Sequence, residues 1–137
     1  MTARHILYTD GASRGNPGPA AIGAVLYREA DDEREEVGTV SRVIGDATNN
    51  VAEYEAVIAG LELASRNGVA DLVLRADSQL LVRQLQGAYK VKAANLAPLF
   101  NEAVRLSRNF SSIRFEHVPR EKNRRADALA NAALDRK

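Results

Sequence analysis

Cysteine is absent from the 137 residues, which excludes structural disulfides, thiolate metal sites and cysteine nucleophiles. Tryptophan is absent too, and histidine occurs only 2 times, too few for a histidine-rich zinc site. No run approaches the ~18 apolar residues of a membrane span. The opening "MTARHILYTD" lacks the layout of a signal peptide, so the expected location is cytoplasmic. Neither charge dominates. Lys and Arg number 19, Asp and Glu 18, and the formal net charge is +1, so net charge alone does not argue for a polyanionic partner.

What is present suits one domain over residues 1–137. The hydrophobic fraction is 45%, enough for one core. No internal repeat, linker or low-complexity segment stands out. Charge is unevenly placed: acids crowd into "EADDEREE" (29–36), bases into "REKNRR" (120–125) and "YKVK" (89–92). Such clusters are ordinarily solvated surface.

Hydrophobic period divides the chain. "HILYTD" (5–10) reads as a strand broken by a Gly/Pro stretch, with Asp10 at its end. Residues 21–30 and 35–45 read as two more strands, with "DDER" between them as an exposed hairpin turn. From Val51 the spacing turns helical through Tyr54, Val57, Ile58, Leu61 and Ala64, with Asn49 or Asn50 as cap and Gly68 after the end. A buried strand is predicted over 70–77. Ser78 caps a short helix stopped by Gly87. A helix over 95–109 takes Asn95 as cap and tolerates Pro98 in its first turn. Residues 112–118 alternate as a strand, and Asn123 caps a last helix. The order βββαβααβα implies an α/β fold, a mixed sheet flanked by helices.

Four acids fall at the junctions of these elements. Asp10 ends the first strand, Glu53 sits in the first turn of the first long helix, Asp77 ends the fourth strand, and Asp127 lies in the first turn of the last helix. Ligand sites of α/β sheets gather at the carboxyl ends of strands. Clustered carboxylates repel and call for a cation, and oxygen-only ligands suit Mg²⁺ or Mn²⁺. Each acid also has an ordinary reading. Asp10 serves a turn, Glu53 pairs with Asn50 in a capping box, Asp77 precedes a capping Ser78, and Asp127 complements a helix dipole. From the residues alone both readings stand.

Four blocks in order, "YTDGASRGNPGPAAIGAVL", "TNNVAEYEAVIAGLELA", "ADSQLLVRQLQG" and "HVPREKNRRADALANAAL", resemble those of type 1 ribonuclease H. They cover nearly the whole chain. The match is strongest to the short bacterial and archaeal-like members. The resemblance implies a ribonuclease H-like fold with a mixed five-stranded sheet. It implies two Mg²⁺ ions, with Mn²⁺ as a substitute, held by Asp10, Glu53, Asp77 and Asp127, and cleavage of the RNA strand of an RNA–DNA hybrid to 5′-phosphate and 3′-hydroxyl ends. It also implies substrate contacts at Gly11, Ser13, Gly15, Asn16, Thr48, Asn49, Asn50 and Gln79. Small polar groups of this kind suit minor-groove and 2′-hydroxyl recognition. Gly11 and Gly15 are expected to clear space for the nucleic-acid backbone. A monomer is expected.

Two features depart from larger members. The histidine of the loop before the last helix is missing, because that loop is shortened to "PREKNRR". His117 precedes it as an expected half-buried strand residue; Glu121, Lys122, Asn123 and Arg124 are candidates to stand in. The basic, tryptophan-containing handle is also missing, and Tyr89, Lys90 and Lys92 remain as a reduced handle. Two other function classes compete: a hybrid-binding module with weak catalysis, and a resolvase- or integrase-like nuclease of the same fold.

Overall fold

The computed structural model describes residues 3–136. The elements follow the expected order: β1 (Arg4–Ser13), β2 (Gly18–Ala30), β3 (Glu33–Ala47), α1 (Asn49–Arg66), β4 (Asp71–Ala76), α2 (Gln79–Leu85), α3 (Ala97–Ser107), β5 (Ser112–His117) and α4 (Arg124–Asp135). A single 3-10 turn, Arg120–Lys122, precedes α4. The sheet runs β3-β2-β1-β4-β5, antiparallel among the first three strands and parallel from β1 to β4 to β5. Among the described residues no helix is long and apolar enough to cross a membrane.

Alternation in β1 sets the two layers. Leu7 joins the cluster made with Tyr54, Val57 and Leu61 of α1 and Leu81, Val82 and Leu106 of α2 and α3. Ile6 and Tyr8 join Val25 and Ala126 on the α4 side. Small residues let the helices lie close to the sheet. At Gly60 of α1 an added Cβ would come within 3.0 Å of Thr9.

Several local expectations change. β1 does not end at Asp10, which pairs with Gly23 while the strand runs on to Ser13. The turn comes later, at Gly15 (φ 125°) and Asn16 (φ 35°), and the Asn16–Pro17 peptide is cis. Asp31 and Asp32 both take positive φ, 54° and 67°, as a two-residue hairpin turn requires. Thr48, not Asn49 or Asn50, caps α1, its Oγ1 accepting from Val51 N at 3.2 Å. Glu53 therefore lies in the second turn of α1, and the capping-box reading fails. Asn95 does not cap α3, which starts after Leu96 with no side-chain cap and has Pro98 in its first turn. Asn123 stands at the N-cap position of α4 but its side chain makes no capping bond.

Candidate active site

Asp10, Glu53, Asp77 and Asp127 come from four separated elements and meet where β1 and β4 run side by side. Asp10 lies on β1 on the α4 side, and Asp77 follows the last residue of β4. Glu53 reaches the site because α1 presses on β1 at Gly11. A Cβ at Gly11 would overlap the Ala52 carbonyl and stand 2.5 Å from Glu53 N. So the missing side chain at Gly11 clears space for α1, not for the nucleic-acid backbone expected there. Asp127 arrives by the same device on the other face. A Cβ at Gly23, the register partner of Asp10, would collide with the Ala126 carbonyl and lie 2.7 Å from Ala130 N.

Electrostatics show that the acids act on one another. Burial, then the negative charges of Asp77, Asp127 and Glu53, push the Asp10 carboxyl up to about 8. Burial pushes Glu53 up to about 7, with Asp77 adding to it and a hydrogen bond from Ser78 opposing it. Ser78 also caps α2, its Oγ accepting from Leu81 N at 3.2 Å. Thr9, Asp10, Glu53, Asp77 and Ser78 line one crevice. None of the four acids forms an ion pair among the described residues.

Among the described residues no three His, Asp or Glu side chains converge tightly enough to hold a metal ion as they stand. The donors nonetheless fit a hard divalent cation. All are carboxylate oxygens, and at Asp10 the negative charges of Asp77, Asp127 and Glu53 add to burial in favouring a bound proton, as they would favour a bound cation.

Asn123 is the residue whose place sequence reasoning missed. It is 1% exposed, and its Nδ2 donates to Thr9 O at 3.0 Å and Asp77 Oδ2 at 3.1 Å. Its Oδ1 is buried with no partner. A lost cap costs about 1 kcal/mol, and an unsatisfied buried acceptor about 1–3 kcal/mol. Burial excludes Asn123 as a mobile substitute for the loop histidine. His117 differs from expectation as well. It is exposed, not half-buried, at the end of β5, with Nε2 3.3 Å from Asp77 O.

The β1–β2 loop is fastened to the start of α1. Asn49 N donates to Asn16 Oδ1 and Ser13 N to Asn49 Oδ1, both at 2.9 Å, and Ser13 Oγ donates to Ala47 O at 2.6 Å. Ser13 thus supports the loop from within. Gly15, Asn16, Asn49, Asn50 and Gln79 are exposed, and Thr48 is half-buried in its capping role. Tyr89 (53% exposed), Lys90 and Lys92 lie on a helix-free segment between α2 and α3.

The chain is similar to known proteins over nearly its whole length. Residues 8–133 match the family model described as reverse transcriptase-like. Ribonuclease HI of Halobacterium salinarum is 50% identical over 128 residues, 93% of this chain and 63% of that protein. Ribonuclease HI of Caulobacter vibrioides is 34% identical over 148 residues, 98% of this chain and 95% of that protein. The crystal structure of LC11-RNase H1 in complex with RNA/DNA hybrid superposes with a TM-score of 0.89 at 43% identity, covering 97% of this chain and 98% of that one. Some relatives are longer: the chain spans only 35% of a bifunctional Mycobacterium tuberculosis protein to which it is 44% identical. With matching fold, sequence and order of elements, the chain belongs to the type 1 ribonuclease H family.

Proposed function

We propose that this chain hydrolyses the RNA strand of RNA–DNA hybrids with two Mg²⁺ ions, for which Mn²⁺ can substitute, leaving 5′-phosphate and 3′-hydroxyl ends. The observation that carries the reading is the gathering of the other three acids about Asp10, whose carboxyl is pushed up to about 8 by burial and then by Asp77, Asp127 and Glu53. Asp10, Glu53, Asp77 and Asp127 would hold the ions. When bound, divalent ions supply Lewis-acid stabilisation of charge developing on phosphate oxygens. The α1 and α4 contacts at Gly11 and Gly23 set the spacing of the carboxylates.

Substrate choice would rest on the exposed polar rim. The side-chain oxygens of Asn16 and Asn49 are already taken, so each offers its Nδ2 donors. Donors suit the acceptors of a minor groove and the 2′-hydroxyl of RNA. Asn50 and Gln79 extend the same rim. A comparison of four labelled substrates tests the reading: hybrid, duplex RNA, duplex DNA and a four-way junction. Cutting confined to the RNA strand of the hybrid is expected. Efficient cutting of the junction or of duplex DNA would instead make this a resolvase-like nuclease.

Tyr89, Lys90 and Lys92 would grip the DNA strand. Replacing both lysines by alanine is expected to weaken hybrid binding and to reduce the slope of log K against log salt by roughly 1–2, about 0.9 per lost phosphate contact. An unchanged slope in a salt titration would remove these lysines from the interface. His117→Ala is expected to alter turnover by less than about tenfold, because its ring meets a backbone carbonyl and none of the four carboxylates. A loss of ~100-fold in steady-state kinetics would instead give it an acid–base role.

A further inference from the structure

We propose that Asn123 is a positioning residue that holds the Asp77 carboxylate in the orientation needed for cation binding; this rests on the reading of Asp77 as a cation ligand. One amide joins three of the acid-bearing parts of the chain. Asn123 stands at the start of α4, four residues before Asp127. Its Nδ2 reaches the carbonyl of Thr9, next to Asp10, and Oδ2 of Asp77. With one carboxylate oxygen of Asp77 engaged, the other is left for an ion.

The side-chain chemistry fits that task. An amide donates to a carboxylate without bringing positive charge, so it orients Asp77 without competing with a cation. Lysine or arginine there would neutralise the ligand, and aspartate has no proton to give when ionised. The arrangement also works against the helix. Asn123 leaves α4 without a side-chain cap and leaves its own buried Oδ1 without a partner. A residue kept for the helix alone would turn its oxygen toward the backbone N–H groups of α4. Local rules broken in this way are expected where a site takes precedence over stability.

The test compares wild type with Asn123→Ala and Asn123→Ser. Mn²⁺ affinity is measured by calorimetry, alongside melting temperature and hybrid-cleavage kinetics. Serine restores a helix cap but is too short to span Thr9 and Asp77. It is expected to melt within a few degrees of wild type, yet to bind Mn²⁺ as weakly as the alanine variant, roughly 10–100-fold below wild type. The kcat at limiting Mg²⁺ should fall with it, while KM for the hybrid stays within about threefold. Wild-type Mn²⁺ affinity in either variant would overturn the inference, as would recovery of affinity in step with the serine variant's melting temperature. A wild-type protein that binds Mn²⁺ but cuts no hybrid would contradict the proposed reaction instead, and calorimetry would still decide the role of Asn123.

Discussion

Asp10→Asn is expected to abolish cleavage and, at the same time, to raise the melting temperature of the metal-free protein at about pH 8. Both effects come from one carboxylate. The loss of turnover should exceed the ~10–100-fold that follows removal of a group merely supporting a ligand. Stability moves the other way because Asp10 ionises at a cost. Its carboxyl is raised from 3.8 to about 8 in the folded chain, by burial first and then by Asp77, Asp127 and Glu53. Between those values the folded state keeps a proton that the unfolded state releases, so stability falls as pH rises from about 4 to about 8. Glu53, raised to about 7, adds a slope of the same sign over a narrower window. Asparagine cannot ionise, so the variant loses the Asp10 part of that slope. Melting curves in a chelator from about pH 4 to about pH 9 should converge at the acid end and separate in favour of the variant above neutrality. A variant that melts lower at about pH 8, or cuts at a rate within tenfold of wild type, would contradict this account.

Gly11→Ala is expected to cost both stability and rate. The new methyl group has no room: it would overlap the carbonyl of Ala52 and stand 2.5 Å from the backbone nitrogen of Glu53. These neighbours are helix backbone, which cannot swing aside as a side chain can. α1 must lift from β1, taking Glu53 and the Asn49–Asn16 link with it. Overpacking of this kind costs typically about 1–3 kcal/mol, which at this chain length lowers the melting temperature by roughly 4–12 °C. A displacement of Glu53 by about 1 Å should lower kcat on the order of 100-fold. Calorimetry and steady-state kinetics on the same preparation check both. Wild-type stability with unchanged kcat would mean that the contact is looser than described. Loss of hybrid affinity alone would return Gly11 to the role expected from sequence.

The order of elements was legible because it rests on local signals. Hydrophobic period switches from strand to helix at Val51, and Gly68, Gly87 and the Asp31–Asp32 pair punctuate the chain. The four acids were legible because each falls near an element junction within a recognisable block. Side-chain direction was not, because tertiary partners decide it. Asn49 looks like a cap from its place in the chain, but Ser13 N draws its oxygen away and Thr48 takes over. Asn123 has a capping residue's type and position, yet the Asp77 carboxylate and the Thr9 carbonyl turn its amide inward. Gly11 looks like ligand clearance until α1 is placed on it. His117 has an alternating strand pattern, but β5 is the sheet edge and its last residue faces solvent beside Asp77.

Divalent-ion cleavage of one strand of a hybrid is the role proposed for the four acids drawn from distant elements. Its most direct test is a single digest of an RNA–DNA hybrid labelled on both strands, with and without Mg²⁺. RNA fragments ending in 3′-hydroxyl groups, an intact DNA strand and no cutting in a chelator are expected. A hybrid that is bound and left whole in Mg²⁺ and in Mn²⁺, or a cut DNA strand, would contradict it.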